Sequence, residues 1–321
     1  MHARAFWTVE PGRGEVRATE IPPGPHGNEL LIRTLYTGIS RGTETLVFDG
    51  AVPPREYERM RAPFQDGDFP GPVKYGYINV GRVEAGPADW VGATVFCLYP
   101  HQTHFIVPAD AVISVPKNVP PERAILAANL ETAVNGIWDS GVTVGDHVAV
   151  FGAGVTGALV AWLAAKIPGC EVTLVDVDIG REALADELGV AFSTPQVLDK
   201  TFDVLFNVSG SAQALDDALR HAAFESTVVE LSWFGDRRAE LTLGEAFHSQ
   251  RLTIRSSQVG AVATAQRPRW THQRRMHLVL SLLADATLNA LISGESDFDE
   301  LPQVMRSLRA PGHLCHRIRY P

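Results

Sequence analysis

The stretch HVAVFGAGVTG (His147–Gly157) constrains this chain more than any other, because a short apolar run meets glycines at positions 152, 154 and 157. GxGxxG spacing alone is common in ordinary turns. Here it follows a strand-like run, opens the helical pattern VTGALVAWLAAKI (Val155–Ile167), and precedes a second apolar run, EVTLVD (Glu171–Asp176). That order predicts a parallel strand–helix–strand unit of the kind that holds a dinucleotide. Each glycine has its own task. Gly152 permits the tight turn, Gly154 lets backbone approach a diphosphate, and Gly157 lets helix and strand pack closely. Val155 and Thr156 complete the turn, where helix amides and dipole favour an anion. Asp176, nineteen residues beyond Gly157, ends a strand and is placed to accept hydrogen bonds from ribose hydroxyls. The same carboxylate repels a 2′-phosphate, so NAD is expected over NADP. Arg181, five residues on, is read either as softening that choice or as covering an adenine or pairing with Asp178.

The alternation continues downstream. GREALADELG (Gly180–Gly189) reads as a helix, FDVLFNV (Phe202–Val208) as a strand, AQALDDALRHA (Ala212–Ala222) as a helix, and TVVELSW and LTIRSS as closing strands. Near-continuous apolar strands between helices predict a parallel sheet covered on both faces. Before this, PPERAILAANLETAVNGIWDSG (Pro120–Gly141) predicts one helix, with Pro and acid early and Gly at its end. After it, RWTHQRRMHLVLSLLADATL (Arg269–Leu288) predicts another, followed by the strand-like HLCHRIRY.

The first 120 residues differ in character. ELLIRTLYTGI (Glu29–Ile39), YINVGRVEAG (Tyr77–Gly86), ATVFCLY (Ala93–Tyr99) and THFIVPA (Thr103–Ala109) are short, alternating and bounded by turns, as in a barrel or sandwich. Between them Val52–Pro72 is a polar excursion, read either as a solvated surface loop or as a substrate lid. Lys plus Arg number 28 against 37 Asp plus Glu, a balance that argues against nucleic acid or an anionic membrane as partner. No apolar run reaches the ~18 residues of a membrane span, and the N-terminus has no signal-like apolar centre. Three scattered cysteines without a CxxC pair exclude a disulfide framework and a cysteine-rich structural zinc lobe. A cytoplasmic protein is expected.

Taken in order, TGISRGTE (Thr37–Glu44), YGYINVGRV (Tyr75–Val83), VPADAVISVPKNVP (Val107–Pro120), NLETAVNGI (Asn129–Ile137), the glycine turn, NVSGSAQALDDAL and RLTIRSSQVG resemble the medium-chain dehydrogenase/reductase superfamily over nearly the whole chain. Part of the likeness is to a zinc-free group that includes the bacteriochlorophyllide hydroxyethyl dehydrogenases. The resemblance implies an α/β chain: a GroES-like, β-rich catalytic domain over 1–120 with 285–321, and a Rossmann domain, a doubly wound parallel sheet, over 121–284. It implies an alcohol–ketone oxidoreductase, a small-molecule substrate held in a cleft between the domains, and a homodimer. Ser209 and Gly210 match a turn that lines the cofactor in the family.

The departures bear on the chemistry. Where zinc-dependent members carry Cys and His, this chain has Ser40 and Tyr77; only Glu131 fits the third ligand position. A catalytic zinc needs about three protein ligands, so none is expected. The substrate oxygen then requires a proton donor or hydrogen-bond donors. Tyr77 is the expected donor, the other reading being that its ring fills the volume of the missing histidine and metal. Ser40 stands beside it. The resemblance places a relay hydroxyl at Gly42, which has none, leaving Thr43 as its nearest substitute. Glu131 is expected to orient or exchange protons in an otherwise apolar helix, with Arg41 either as its counter-charge or on the cofactor phosphates. His101 and His104 are candidates for proton relay, at most one pointing inward, while His248 reads as a surface residue. Trp233 and Phe234 are read as ending a strand, either where a ligand binds or in the core, and Ser256–Gly260 either as lying near the nicotinamide or a subunit contact or as an ordinary loop. Two other readings remain: a zinc enzyme with displaced ligands such as His101 with Glu131, and a non-catalytic dinucleotide-binding sensor or scaffold.

Overall fold

The computed structural model describes residues 2–308 and 312–321. Residues 309–311 of the expected 285–321 segment lie outside them. The chain separates into two compact units, Met1–Ala128 with Met276–Pro321, and Asn129–Arg275. The first opens with a hairpin, β1 (His2–Glu10) and β2 (Arg13–Glu20), that the sequence patterning had not singled out. β3 (Glu29–Ile39) follows with the predicted bounds, then α1 (Arg41–Phe48). The Val52–Pro72 excursion holds one short 3-10 turn, Pro54–Glu56, and β4 (Asp66–Gly67). β5 (Val73–Lys74), β6 (Asn79–Ala85), β7 (Thr94–Cys97), β8 (His104–Pro108) and β9 (Val112–Ser114) complete the series. Tyr77 precedes β6 and does not begin a strand, a correction that leaves it on a loop.

The helix predicted over Pro120–Gly141 is two helices, α2 (Pro121–Ala124) and α3 (Ala127–Ser140). The second unit is the expected alternation: β10 (His147–Phe151), α4 (Val155–Ala164), β11 (Glu171–Val175), α5 (Glu182–Leu188), β12 (Ala191–Ser193), β13 (Phe202–Asn207), α6 (Ala212–Arg220), β14 (Ala222–Glu230) and β15 (Thr253–Ser256). All pairings are parallel, in the order β12-β11-β10-β13-β14-β15. Counted from β10, this is the doubly wound order 3-2-1-4-5-6. The order reverses between β10 and β13, where two connections leave in opposite directions and open a crevice at the carboxyl ends. Phe151, Leu205, Leu215, Leu219 and Val228 form its core beneath α6.

The predicted Arg269–Leu288 helix is shorter, α7 (His272–Leu282), and gives way to a 3-10 turn whose Thr287 amide is capped by the Asp285 side chain. β16 (Ile292–Asp297), α8 (Leu301–Ser307) and β17 (Cys315–Arg319) return the chain to the first unit. There β16-β17-β3-β6-β7-β9 form one sheet, with β8 also on β3, and β2-β1-β5-β4 form another. Phe6, Ile39, Phe48, Phe298, Leu301 and Ile318 are almost fully buried together. Each such side chain contributes about 1.5–3 kcal/mol by leaving water, so the last thirty residues are integral to the N-terminal unit. Among the described residues, no helix is long and apolar enough to cross a membrane.

Candidate active site

The glycine turn lies at the carboxyl end of β10, at the reversal of strand order. Gly152 has φ +108°, and a Cβ there would lie 2.8 Å from the Ser209 backbone. A Cβ at Gly157 would lie 1.8 Å from the Gly152 carbonyl oxygen. A Cβ at Gly154 would meet no protein atom within 4 Å. Two glycines are therefore demanded by the fold, while the middle one leaves open space in front of the backbone. Gly154 is the N-cap of α4 and brings no side-chain cap, so the amides of Val155, Thr156 and Gly157 have no intrahelical acceptor. Thr156 Oγ1 is within 3.3 Å of Asn129 Nδ2. The donor set and the space suit the diphosphate of a dinucleotide.

Asp176 follows β11 and is half-buried. Its Oδ2 accepts from the Ala153 amide at 2.7 Å and its Oδ1 from the Asp178 amide at 2.9 Å. A carboxylate has about four acceptor sites, so capacity remains for ribose hydroxyls while the side chain is held rigid against the turn. Arg181 pairs with Asp178 at 3.5 Å. Ser209 donates its hydroxyl to Asn207 at 2.7 Å, and the Gly210 amide donates to Ser232 at 2.9 Å, fixing the turn after β13. Trp233 and Phe234 lie beyond the end of β14, partly exposed. His248 is exposed.

Glu131 lies on α3. Its partner is Arg275, whose Nε donates to it at 3.1 Å, and not Arg41, which is exposed and donates to the His313 carbonyl at 3.2 Å. Arg275 is 1% exposed and also donates to Asn135 Oδ1 and the Val259 carbonyl, each at 2.6 Å. It thus ties α3 to the Ser256–Gly260 loop. Burial pushes the Glu131 carboxyl up, and Arg275 and His272 pull it part of the way back. A distant arginine in an amphipathic stretch gave no sequence signal of this pairing.

In the first unit, Gly76 has φ +136°, and a Cβ there would lie 3.0 Å from the His101 ring, so this residue lets the Tyr77 loop run against that histidine. Tyr77 is hydrogen-bonded through its side chain to Ser40 and Thr43. Desolvation, with a smaller part from the Glu44 charge, raises its phenol to about 12, against the lowering pull of those two hydroxyls. The sequence candidates Tyr77, Ser40 and Thr43 are therefore together. His101 is 1% exposed and His104 half-buried. His101 Nε2 is 2.9 Å from Glu44 Oε2, and its Nδ1 is 2.7 Å from Thr37 Oγ1. Both ring nitrogens are thus occupied, which counts against the displaced-ligand role for His101. Glu44 is 3% exposed and its Oε1 accepts the Ser40 amide at 2.8 Å. Glu44 went unassigned in the sequence, although an acid four residues after Ser40 on a short helix is the available signal. Among the described residues, no group of three or more His, Cys, Asp or Glu side chains is placed to hold a metal ion.

No protein-family model matches the sequence. D-guloside 3-dehydrogenase of Escherichia coli (strain K12) is 26% identical over 292 residues, which cover 82% of this chain and 83% of that one. L-idonate 5-dehydrogenase from Escherichia coli K-12 superposes with a TM-score of 0.81 at 16% identity, covering 99% of this chain and 98% of the other. An alcohol dehydrogenase from Escherichia coli CFT073, solved with NADH, gives a TM-score of 0.79 at 16% identity over 99% of both chains. Relatives and structural neighbours include zinc-type alcohol dehydrogenase-like proteins, and this chain is similar to them across most of its length, with Ser40 and Tyr77 at two positions where the resemblance expects zinc ligands.

Proposed function

We propose that the protein is a nicotinamide-dinucleotide-dependent oxidoreductase that interconverts a secondary alcohol and a ketone by hydride transfer, without a catalytic zinc. The observation that carries this reading is the glycine turn, where space at Gly154 stands beside two glycines that the fold itself requires. The diphosphate is assigned to the amides of Gly154, Val155, Thr156 and Gly157, the ribose to Asp176, and the flanking wall to Ser209 and Gly210. NAD is favoured over NADP, since Asp176 is anionic and Arg181 is already paired with Asp178. Relatives named for sugar acids and glycosides support a polyhydroxylated substrate.

When bound, the nicotinamide accepts or supplies the hydride. The Tyr77 phenol is assigned the proton. In the reducing direction it donates to the carbonyl oxygen, leaving a phenolate held by the hydroxyls of Ser40 and Thr43. In the oxidising direction it receives the alcohol proton. A phenol titrating at about 12 is protonated at neutral pH, which suits the donor role. Ser40 and Tyr77 offer one hydroxyl each where zinc members offer thiolate and imidazole, a set unsuited to zinc. Glu131 is assigned to holding Arg275 and its loop. A cytoplasmic homodimer is the accompanying proposal, with β15 at the sheet edge as the surface for a second copy.

Calorimetric titration with NADH and NADPH, followed by a turnover panel of sugars, polyols and their ketones, tests the reading. Tight NADH binding, turnover, and its loss in Tyr77→Phe with binding kept are the expected results. NADH binding without turnover across the panel would instead favour a sensor or scaffold.

A further inference from the structure

Behind Tyr77, in the same unit, lies a chain of buried polar groups that no proton donor by itself requires. Glu44 is a nearly inaccessible carboxylate, and His101 is a nearly inaccessible imidazole 2.9 Å from it. An anion so placed needs a donor, and the imidazole Nε2–H supplies it. Nδ1 then faces the Thr37 hydroxyl at 2.7 Å, which in turn meets the Tyr320 hydroxyl at 3.2 Å. With a neutral imidazole, Tyr320 donates to Thr37, Thr37 to Nδ1, and Nε2–H to Glu44. Taking up one proton reverses the Thr37 bond and turns the pair from an anion into an internally neutral one. Glu44 Oε1 holds the Ser40 amide, and Ser40 is the partner of the Tyr77 hydroxyl.

We propose that Glu44 and His101 are a positioning pair for Tyr77: a buried proton-holding couple whose charge, acting beside Ser40, sets the acidity of the phenol. The inference rests on the assignment of Tyr77 as proton donor. Burial does most to hold the phenol proton in place and the Glu44 charge adds to it, so a proton on His101 offsets the second contribution and makes Tyr77 the stronger acid. Carbonyl reduction is then favoured when the couple holds its extra proton. The other ionisable groups around the couple are Tyr75 on the Tyr77 loop, Cys315 on β17 and Tyr320 after it, all held protonated in part by the same Glu44 charge. Arg41, at the start of α1, faces away toward His313. From β1, Phe6 meets His101 twice, its ring edge-on at 6.3 Å and its amide donating to the His101 carbonyl at 2.9 Å.

The test uses the whole protein labelled with 13Cζ-tyrosine and 15N-histidine, the Tyr77 resonance being assigned by its loss in Tyr77→Phe. In Glu44→Gln the Tyr77 midpoint is expected to fall below that of the wild type, and Glu44→Asp should restore it. In the wild type the Tyr77 signal should shift together with any protonation of His101 read from its 15N resonances, which decides the matter if Glu44→Gln does not fold. A Tyr77 midpoint unmoved by Glu44→Gln, or a Tyr77 signal indifferent to His101, overturns the proposal. Neither readout needs turnover, so failure here is distinct from failure of the oxidoreductase assignment. In an active enzyme, kcat/KM for reduction should lose its rise toward low pH in Glu44→Gln.

Discussion

Substituting Gly154 separates what the fold needs from what the cofactor needs. Its backbone is at φ −76°, ψ −177°, which any residue adopts, and a Cβ meets nothing within 4 Å. Replacing an N-cap glycine by alanine weakens the cap, while the unfolded chain loses freedom. Each effect is about 1 kcal/mol or less, and they oppose one another. Gly154→Ala should therefore melt within a few degrees of the wild type. Its methyl, however, fills the approach assigned to the diphosphate. A loss of about 10- to 100-fold in NADH affinity, or about 1.4–2.8 kcal/mol, is expected. Gly157→Ala is the control, because its Cβ is 1.8 Å from the Gly152 carbonyl oxygen and backbone must move. Overpacking of this kind costs about 1–3 kcal/mol, and each kcal/mol lowers Tm by about 2–4 °C in a domain of this size. Calorimetric titration with NADH and a thermal scan on the same samples give both quantities. Wild-type NADH affinity in Gly154→Ala, or a melting loss as large as that of Gly157→Ala, would refute the reasoning.

Asp176→Ser removes the acceptor of two amides and of the ribose hydroxyls; NADH affinity should fall about tenfold and the NADH-to-NADPH preference should shrink, read by titration with each. Arg275→Met leaves the Glu131 charge buried without its partner, at a cost of about 3–5 kcal/mol in denaturant unfolding, and adding Glu131→Met should recover part of the loss. For Tyr77, the folded midpoint of about 12 lies above the ordinary phenol near 10. The native state therefore keeps its proton longer than the unfolded chain. The associated stability is full below the ordinary midpoint and is lost as pH rises through the folded one. Tyr77→Phe should show a shallower alkaline loss of stability in denaturant midpoints.

The strand–turn–helix at His147–Gly157 was legible because its demands are local: a buried strand, a left-handed turn and close backbone contact select glycine at fixed spacing. The alternation after it was legible because strands buried on both faces become continuous apolar runs. Ends were less so. The break at 125–126 between α2 and α3 has no breaker residue, and the β1–β2 hairpin has its apolar face supplied by Phe6 against residues some three hundred positions away. Sequence also brought Ser40, Thr43 and Tyr77 forward as candidates, through the places they occupy in a resemblance.

What the chain's order of residues could not state is which buried charge meets which. Arg41 was the one counter-charge the sequence offered Glu131, and the packing of α3 against Arg275 supplied another. Glu44 and His101 stand 57 positions apart, each unremarkable alone, and become a couple because the loop at Gly76 and the first turn of α1 bring them within a hydrogen bond. Hydrophobic periodicity reports the burial of faces, so it carries the fold. Ion pairs depend on angle and distance across elements, and those exist only once the elements have packed.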